Sequence, residues 1–152
     1  EVGFNGGHST LAMLVGAPAN ATMTSFDLVS KSYTPACAKF LSDVFPARFS
    51  LISGPSNQTL LQHARAHFDL PRCDLVYIDG GHEFHEARDD LLAMSLLSTH
   101  GRTLVVMDDV GCAPEYCVGP TVAWQAFINA GRLKELGCEA EVDRRWCWGV
   151  YS

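Results

Sequence analysis

No apolar stretch in these 152 residues reaches the roughly 18–20 that a membrane-spanning helix needs, so no membrane span is expected. Basic residues are few: eleven Lys and Arg stand against seventeen Asp and Glu, for a net charge of -6. A protein that grips nucleic acid through a broad basic surface needs the opposite balance, so no nucleic-acid partner is expected. A small-molecule partner or a local basic patch stays open. Six cysteines are present, but none forms a CxxC pair, which argues against a structural zinc site. Buried free thiols are the plain expectation, with a Cys112–Cys117 or Cys138–Cys147 disulfide as the alternative in an oxidising compartment. The dinucleotide fingerprint GxGxxG is absent. So are an initiator methionine and a signal-peptide pattern. Glu1 falls where a strand should already be ending. The chain therefore reads as a fragment lacking the start of its first strand, with the natural protein extending N-terminally. Compartment stays open, the cytoplasm being slightly favoured, and so does a homo-oligomer. Asn20-Ala21-Thr22 and Asn57-Gln58-Thr59 fit the glycosylation sequon, but such triplets are common by chance.

What is present is a globular composition, 47% hydrophobic, over a length that suits one domain, residues 1–152, with a sizeable core. Strand-like and helix-like segments alternate. Ser9 to Val15 reads as a short helix after a Gly-rich turn, and Ala21 to Leu28 as a strand. A helix runs from Pro35 to Val44, with Thr34 as N-cap. Arg48 to Ser53 is a strand, and Asn57 to Phe68 a helix with Leu60, Leu61, Ala64 and Phe68 on one side. Asp74 to Asp79 is the clearest strand, apolar between its two acids as a doubly covered strand should be. His85 to Ser98 is a helix containing Leu91, Leu92, Met94 and Leu96, closed by a C-cap at Gly101. Thr103 to Met107 is a second buried strand. A loop from Cys112 to Pro120 precedes a helix from Thr121 to Leu136. A hairpin then turns at Asp143-Arg144-Arg145, with Trp146 and Trp148 on one core-facing side. Alternating β and α units predict an α/β fold, a Rossmann-like doubly wound and mostly parallel sheet ending in an antiparallel hairpin. In such sheets ligands bind beyond the carboxyl ends of the strands.

The residues with chemistry lie at those ends. Glu1-Val2-Gly3-Phe4-Asn5-Gly6-Gly7-His8-Ser9 is a glycine turn between strand and helix, where backbone can approach a ligand closely. Asp27 ends the second strand, where a carboxylate can accept both hydroxyls of a ribose. Ser53-Gly54-Pro55-Ser56 ends the third. Asp79-Gly80-Gly81-His82 and Asp108-Asp109 end two neighbouring strands. Their three carboxylates would repel one another, and a hard cation such as Mg²⁺ resolves that repulsion through oxygen ligands. Capping and structural acids are the alternative. His82 and His85 have the spacing of helical metal ligands, yet Glu83 and Glu86 beside them suit a helix N-terminus.

From Glu1 to about Val110, and more loosely through Trp146 to Tyr151, this pattern resembles class I methyltransferases. It resembles the family-24 group and also the related metal-dependent macrocin-type and catechol-type O-methyltransferases. The resemblance implies an S-adenosylmethionine-dependent enzyme. Glu1, Gly3, Asn5, Gly7, Ser9, Asp27, Ser56 and Asp79 would form the cofactor site. Pro55 departs from the family's pattern by taking the place often held by an acid near the adenine. Asp79, Asp108 and Asp109 match the metal-binding acids, so Mg²⁺ is an optional cofactor. Asp79 and His82 stand as the catalytic pair, with His82 as general base. The implied reaction is O-methylation of a small-molecule acceptor. Two rivals remain: a nicotinamide-dependent oxidoreductase, which Asp27 would also serve, and a cofactor-binding module without activity.

Overall fold

The computed structural model describes residues 1–67 and 72–152. Residues 1–3 lie at the centre of one sheet. Val2 bridges Phe26 on one side and Ile78 on the other, both in parallel register. Its N–H donates to the Tyr77 carbonyl at 2.9 Å and its carbonyl accepts the Asp79 N–H at 2.9 Å. On one flank lie β1 (Met23–Asp27) and then β2 (Phe49–Ser53), paired in parallel. On the other lie β3 (Leu75–Ile78) and β4 (Leu104–Asp108), also parallel, followed by β6 (Arg144–Tyr151) and β5 (Leu133–Glu141), both pairings antiparallel. The chain winds outward one way through β1 and β2, then the other way from β3. The switch point of this doubly wound sheet therefore sits at Val2.

Helices cover both faces. On one side α1 (His8–Gly16) and α2 (Thr34–Val44) enclose Phe4, Leu14, Leu41 and Phe49. On the other, α3 (Ser56–Ala66), α4 (Phe84–Leu96) and α5 (Val118–Asn129) pack over the larger cluster around Phe26, Ile78, Leu91, Met107 and Trp124. Strand alternation divides the work: Phe49 and Leu51 belong to the first cluster, Ile52 to the second. No helix is long and apolar enough to cross a membrane among the described residues.

Several local expectations are corrected. The residue before α2 is Tyr33 and not Thr34, whose hydroxyl donates instead to the Asn5 carbonyl at 2.9 Å. Phe68, expected on the α3 stripe, lies outside the described residues. In α4, Leu91 and Met94 are buried while Leu92 and Leu96 are exposed, and the helix ends at Leu96 with Leu97 as its C-cap. Gly101 lies in a separate turn at positive φ, its N–H donating to the Tyr151 carbonyl at 2.7 Å.

The expected helix from Thr121 to Leu136 starts earlier and stops earlier. Pro120 is tolerated in the first turn of α5, where N–H groups have no helical partner anyway. Gly131 at φ 66 follows the C-cap Ala130, and Leu133 then pairs with Tyr151 in the sheet. Only Val142 and Asp143 separate the hairpin strands.

Four cysteines form disulfides, Cys112–Cys117 and Cys138–Cys147, which replaces the free-thiol expectation for them; Cys37 and Cys73 are free. Trp146 and Trp148 share a face, but it is the half-buried one. Cys147 and Tyr151 take the core-facing side, and Trp124 is the tryptophan that is fully buried.

Candidate functional site

The glycine turn exists because β3 leaves no room for a side chain at Gly3. A Cβ there would overlap the Asp79 carbonyl, and its φ of 89° lies in the left-handed region. This close approach brings the loop after Val2 against the loop after β3. Glu1 fixes the loop's other end. Its buried carboxylate accepts hydrogen bonds from Ser9, Thr10 and Ser25, the last at 2.7 Å, which ties the turn to α1 and β1. Gly7 sits at the N-cap of α1 in the left-handed conformation.

Beyond the strand ends opens a crevice of about 400 Å³. Gly3, Asn5, Asp27, Ser56, Asp79 and His82 all line it. Glu1, Gly7 and Ser9 do not: they lie behind the wall and shape the loop. Asp27 accepts the Asn5 N–H at 2.9 Å and the Val29 N–H at 2.6 Å, so both oxygens are held with lone pairs to spare. Asn5 is itself pinned from the start of α2, by the hydroxyl of the preceding Tyr33 on its side chain and by Thr34 on its carbonyl. Ser56 opens α3 on the far side, and His85 also reaches the wall.

Beside the crevice, carboxylate oxygens of Asp79, Asp108 and Asp109 lie within 4.8 Å of one another. Burial, then the charges of Asp108 and Asp109, push the Asp79 carboxyl up to about 7, with Arg144 and His82 opposing. Asp108 accepts from Arg144 at 2.7 Å and from the Tyr77 hydroxyl at 3.3 Å. Asp109 pairs with His82 Nε2 at 2.9 Å. No donor reaches the Asp79 carboxyl among the described residues. The ring of His82 meets Tyr116 edge-on at 5.3 Å, and its backbone is packed by Gly119, where any Cβ would strike the His82 carbonyl. Two cysteines near Asp109, Cys112 and Cys117, are committed to their disulfide and offer no thiolate.

Four residues of this region escaped the sequence reading. Tyr77 and Arg144 brace Asp108, and Tyr33 braces Asn5. Asp90 is wholly buried below Gly80 with neither oxygen hydrogen-bonded among the described residues. Burial pushes its carboxyl up to about 6, with the charges of Glu86 and Asp89 adding to the shift. The α4 periodicity was the available signal for Asp90, since it falls three residues after Ala87 on the core stripe. Nothing in sequence spacing links Arg144 to Asp108.

Residues 1–110 match the family described as "Methyltransferase domain". No curated protein matches the chain. Among solved structures, an O-methyltransferase from Bacillus cereus in complex with SAH is similar at 15% identity and a TM-score of 0.76, covering 98% of this chain and 71% of that one. CalS11, a TDP-rhamnose 3'-O-methyltransferase of calicheamicin biosynthesis, is similar at 19% identity and a TM-score of 0.70, covering 96% and 68%. MycE of the mycinamycin pathway, in complex with Mg and SAH, is similar at 20% identity and 0.62, covering 99% of this chain and 44% of that one. At these identities the likeness establishes a shared fold.

Proposed function

This chain belongs to the methyltransferase-domain family, and we propose that it transfers the methyl group of S-adenosylmethionine to an oxygen of a small-molecule acceptor. One observation carries the reading: the glycine turn, Asp27 and Asp79 converge on a single crevice at the switch point of the sheet. Its volume of about 400 Å³ suits a nucleoside-sized ligand. In this reading the Asp27 carboxylate accepts the two ribose hydroxyls. Gly3 and Asn5 receive the methionine part of the cofactor. Ser56 lies toward the adenine, where Pro55 offers no polar group. Glu1, Gly7 and Ser9 contribute by shaping the turn.

The acid cluster fits a hard divalent cation. Three carboxylates converge, and Asp79, with no donor among the described residues, is pushed up to about 7 by burial and by the two neighbouring charges, both of which a bound cation would offset. Mg²⁺ bound there would lower the pKa of an acceptor hydroxyl and orient it. The chain's own part is to hold acceptor oxygen and methyl carbon in line and to exclude water. His82 gives its Nε2 side to Asp109, which leaves Nδ1 to take the acceptor's proton.

Calorimetric titration with S-adenosylhomocysteine and with NADH tests the cofactor. Binding of the former is expected, and preferential binding of NADH would overturn the reading in favour of an oxidoreductase. Asp27→Ala should weaken S-adenosylhomocysteine binding by tenfold or more with the fold intact by circular dichroism; unchanged affinity would remove Asp27 from the site. Methyl transfer, once an acceptor is found, should fall with EDTA and return with Mg²⁺.

A further inference from the structure

The three carboxylates share their niche with a fixed positive charge. In the β4–β6 ladder Asp108 faces Trp146, which places Arg144 two residues further along on the same sheet face. From there its guanidinium reaches back over the end of β4 and donates to Asp108 Oδ2 at 2.7 Å. The same oxygen accepts from the Tyr77 hydroxyl, and Oδ1 accepts the Asp109 N–H at 3.0 Å. Three of the four lone-pair positions on Asp108 are therefore taken. Asp109 still has Oδ1, and Asp79 has both oxygens.

The pair is lopsided in exposure. The Arg144 side chain is 61% exposed and that of Asp108 only 5%. The guanidinium would be solvated if it swung away, but the carboxylate would be left buried without a counter-charge, and that cost holds the pair together. We propose that Arg144 is the resident counter-ion of the acid cluster, standing in for a divalent cation and weakening the cluster's affinity for one. A fixed positive charge within hydrogen-bonding distance of one ligand repels any ion that approaches the other two. It also occupies a lone pair the ion would use. In return it holds Asp108 in place when no ion is bound. The inference rests on Asp79, Asp108 and Asp109 being a cation seat.

The test is Mn²⁺ binding to the whole protein without cofactor or acceptor, read from the free-Mn²⁺ signal in electron paramagnetic resonance. Arg144→Met keeps the packing stem and removes the charge; Arg144→Gln serves if the methionine variant does not fold. The neutral variant should bind Mn²⁺ at least tenfold more tightly than the natural protein. It should melt at a lower temperature in EDTA and recover when Mn²⁺ is added. Arg144→Lys, which keeps the charge, should stay within about threefold of the natural affinity. A neutral variant that binds no more tightly than a Mn²⁺-binding natural protein overturns the role of Arg144 alone. A lysine variant as tight as the neutral one overturns the charge argument. If neither the natural protein nor the neutral variant binds Mn²⁺, the cation seat itself fails, and this inference falls with it.

Discussion

At Asp79 burial and two neighbouring carboxylates act on one carboxyl, and the consequence is a stability that depends on pH. Its folded-state value of about 7 lies above the ordinary range near 4. Between those values the folded protein holds a proton that the unfolded chain has released. In the metal-free protein this group's contribution to stability therefore falls as pH rises from about 4 to about 7 and levels off above. Asp79→Asn removes the titration. It should be more stable than the natural protein at pH 8, by on the order of 1–3 kcal/mol, and gain nothing at pH 4. Urea unfolding in EDTA at the two pH values measures the difference; one that does not grow with pH would contradict the repulsion. A cation site built on Asp79 requires the carboxylate, so Mn²⁺ affinity should rise with pH through the same range.

Elements are where packing overrides local pattern. Trp124 on α5 is fully buried, and its Nε1–H donates to the Glu135 carboxylate on β5 at 2.7 Å. Trp124→Phe keeps most of the apolar surface and loses that bond, so it should cost about 1–3 kcal/mol in urea unfolding. Gly119→Ala in the same helix would drive a Cβ into the His82 backbone and should cost about 1–3 kcal/mol while displacing His82, as nuclear magnetic resonance of its ring would show.

These contacts also mark what the sequence could and could not reveal. The strands from Ala21, Arg48, Asp74 and Thr103 were legible because their apolar runs end in Gly or Asp. The residues at their ends were legible for the same reason, and Asp27, Ser56, Asp79 and His82 line one crevice together with Gly3. The stretch after Gly131 was not legible. Leu133 and Leu136 have helical spacing, yet Leu133 is buried in the strand and Leu136 sits exposed at the register shift between Glu135 and Gly137. Pairing with β6 decides the matter, and that information is non-local. Arg144 was hidden similarly, since its partner is set by strand register and not by spacing, whereas the Cys138–Cys147 pairing stood in the sequence as the alternative to free thiols.

For the whole molecule, the central fact is that the two parts of the sheet meet only through residues 1–3, among the described residues. Gly3 N–H donates to Phe26 and Phe26 N–H to Glu1, while Val2 and Asp79 close the other side. Ligand that binds only the folded state should stabilise it by about 2.7 kcal/mol at a hundred times its dissociation constant. S-adenosylhomocysteine should show this as a raised melting temperature. Because Gly3 and Asp27 form one jamb of the crevice and Asp79 the other, an occupant would act as a hasp across the sheet's midline. Deuterium uptake at the Gly3 and Asp79 amides should then slow on ligand addition far more than at the hairpin, so that occupancy and mechanical closure of the midline become one cooperative event.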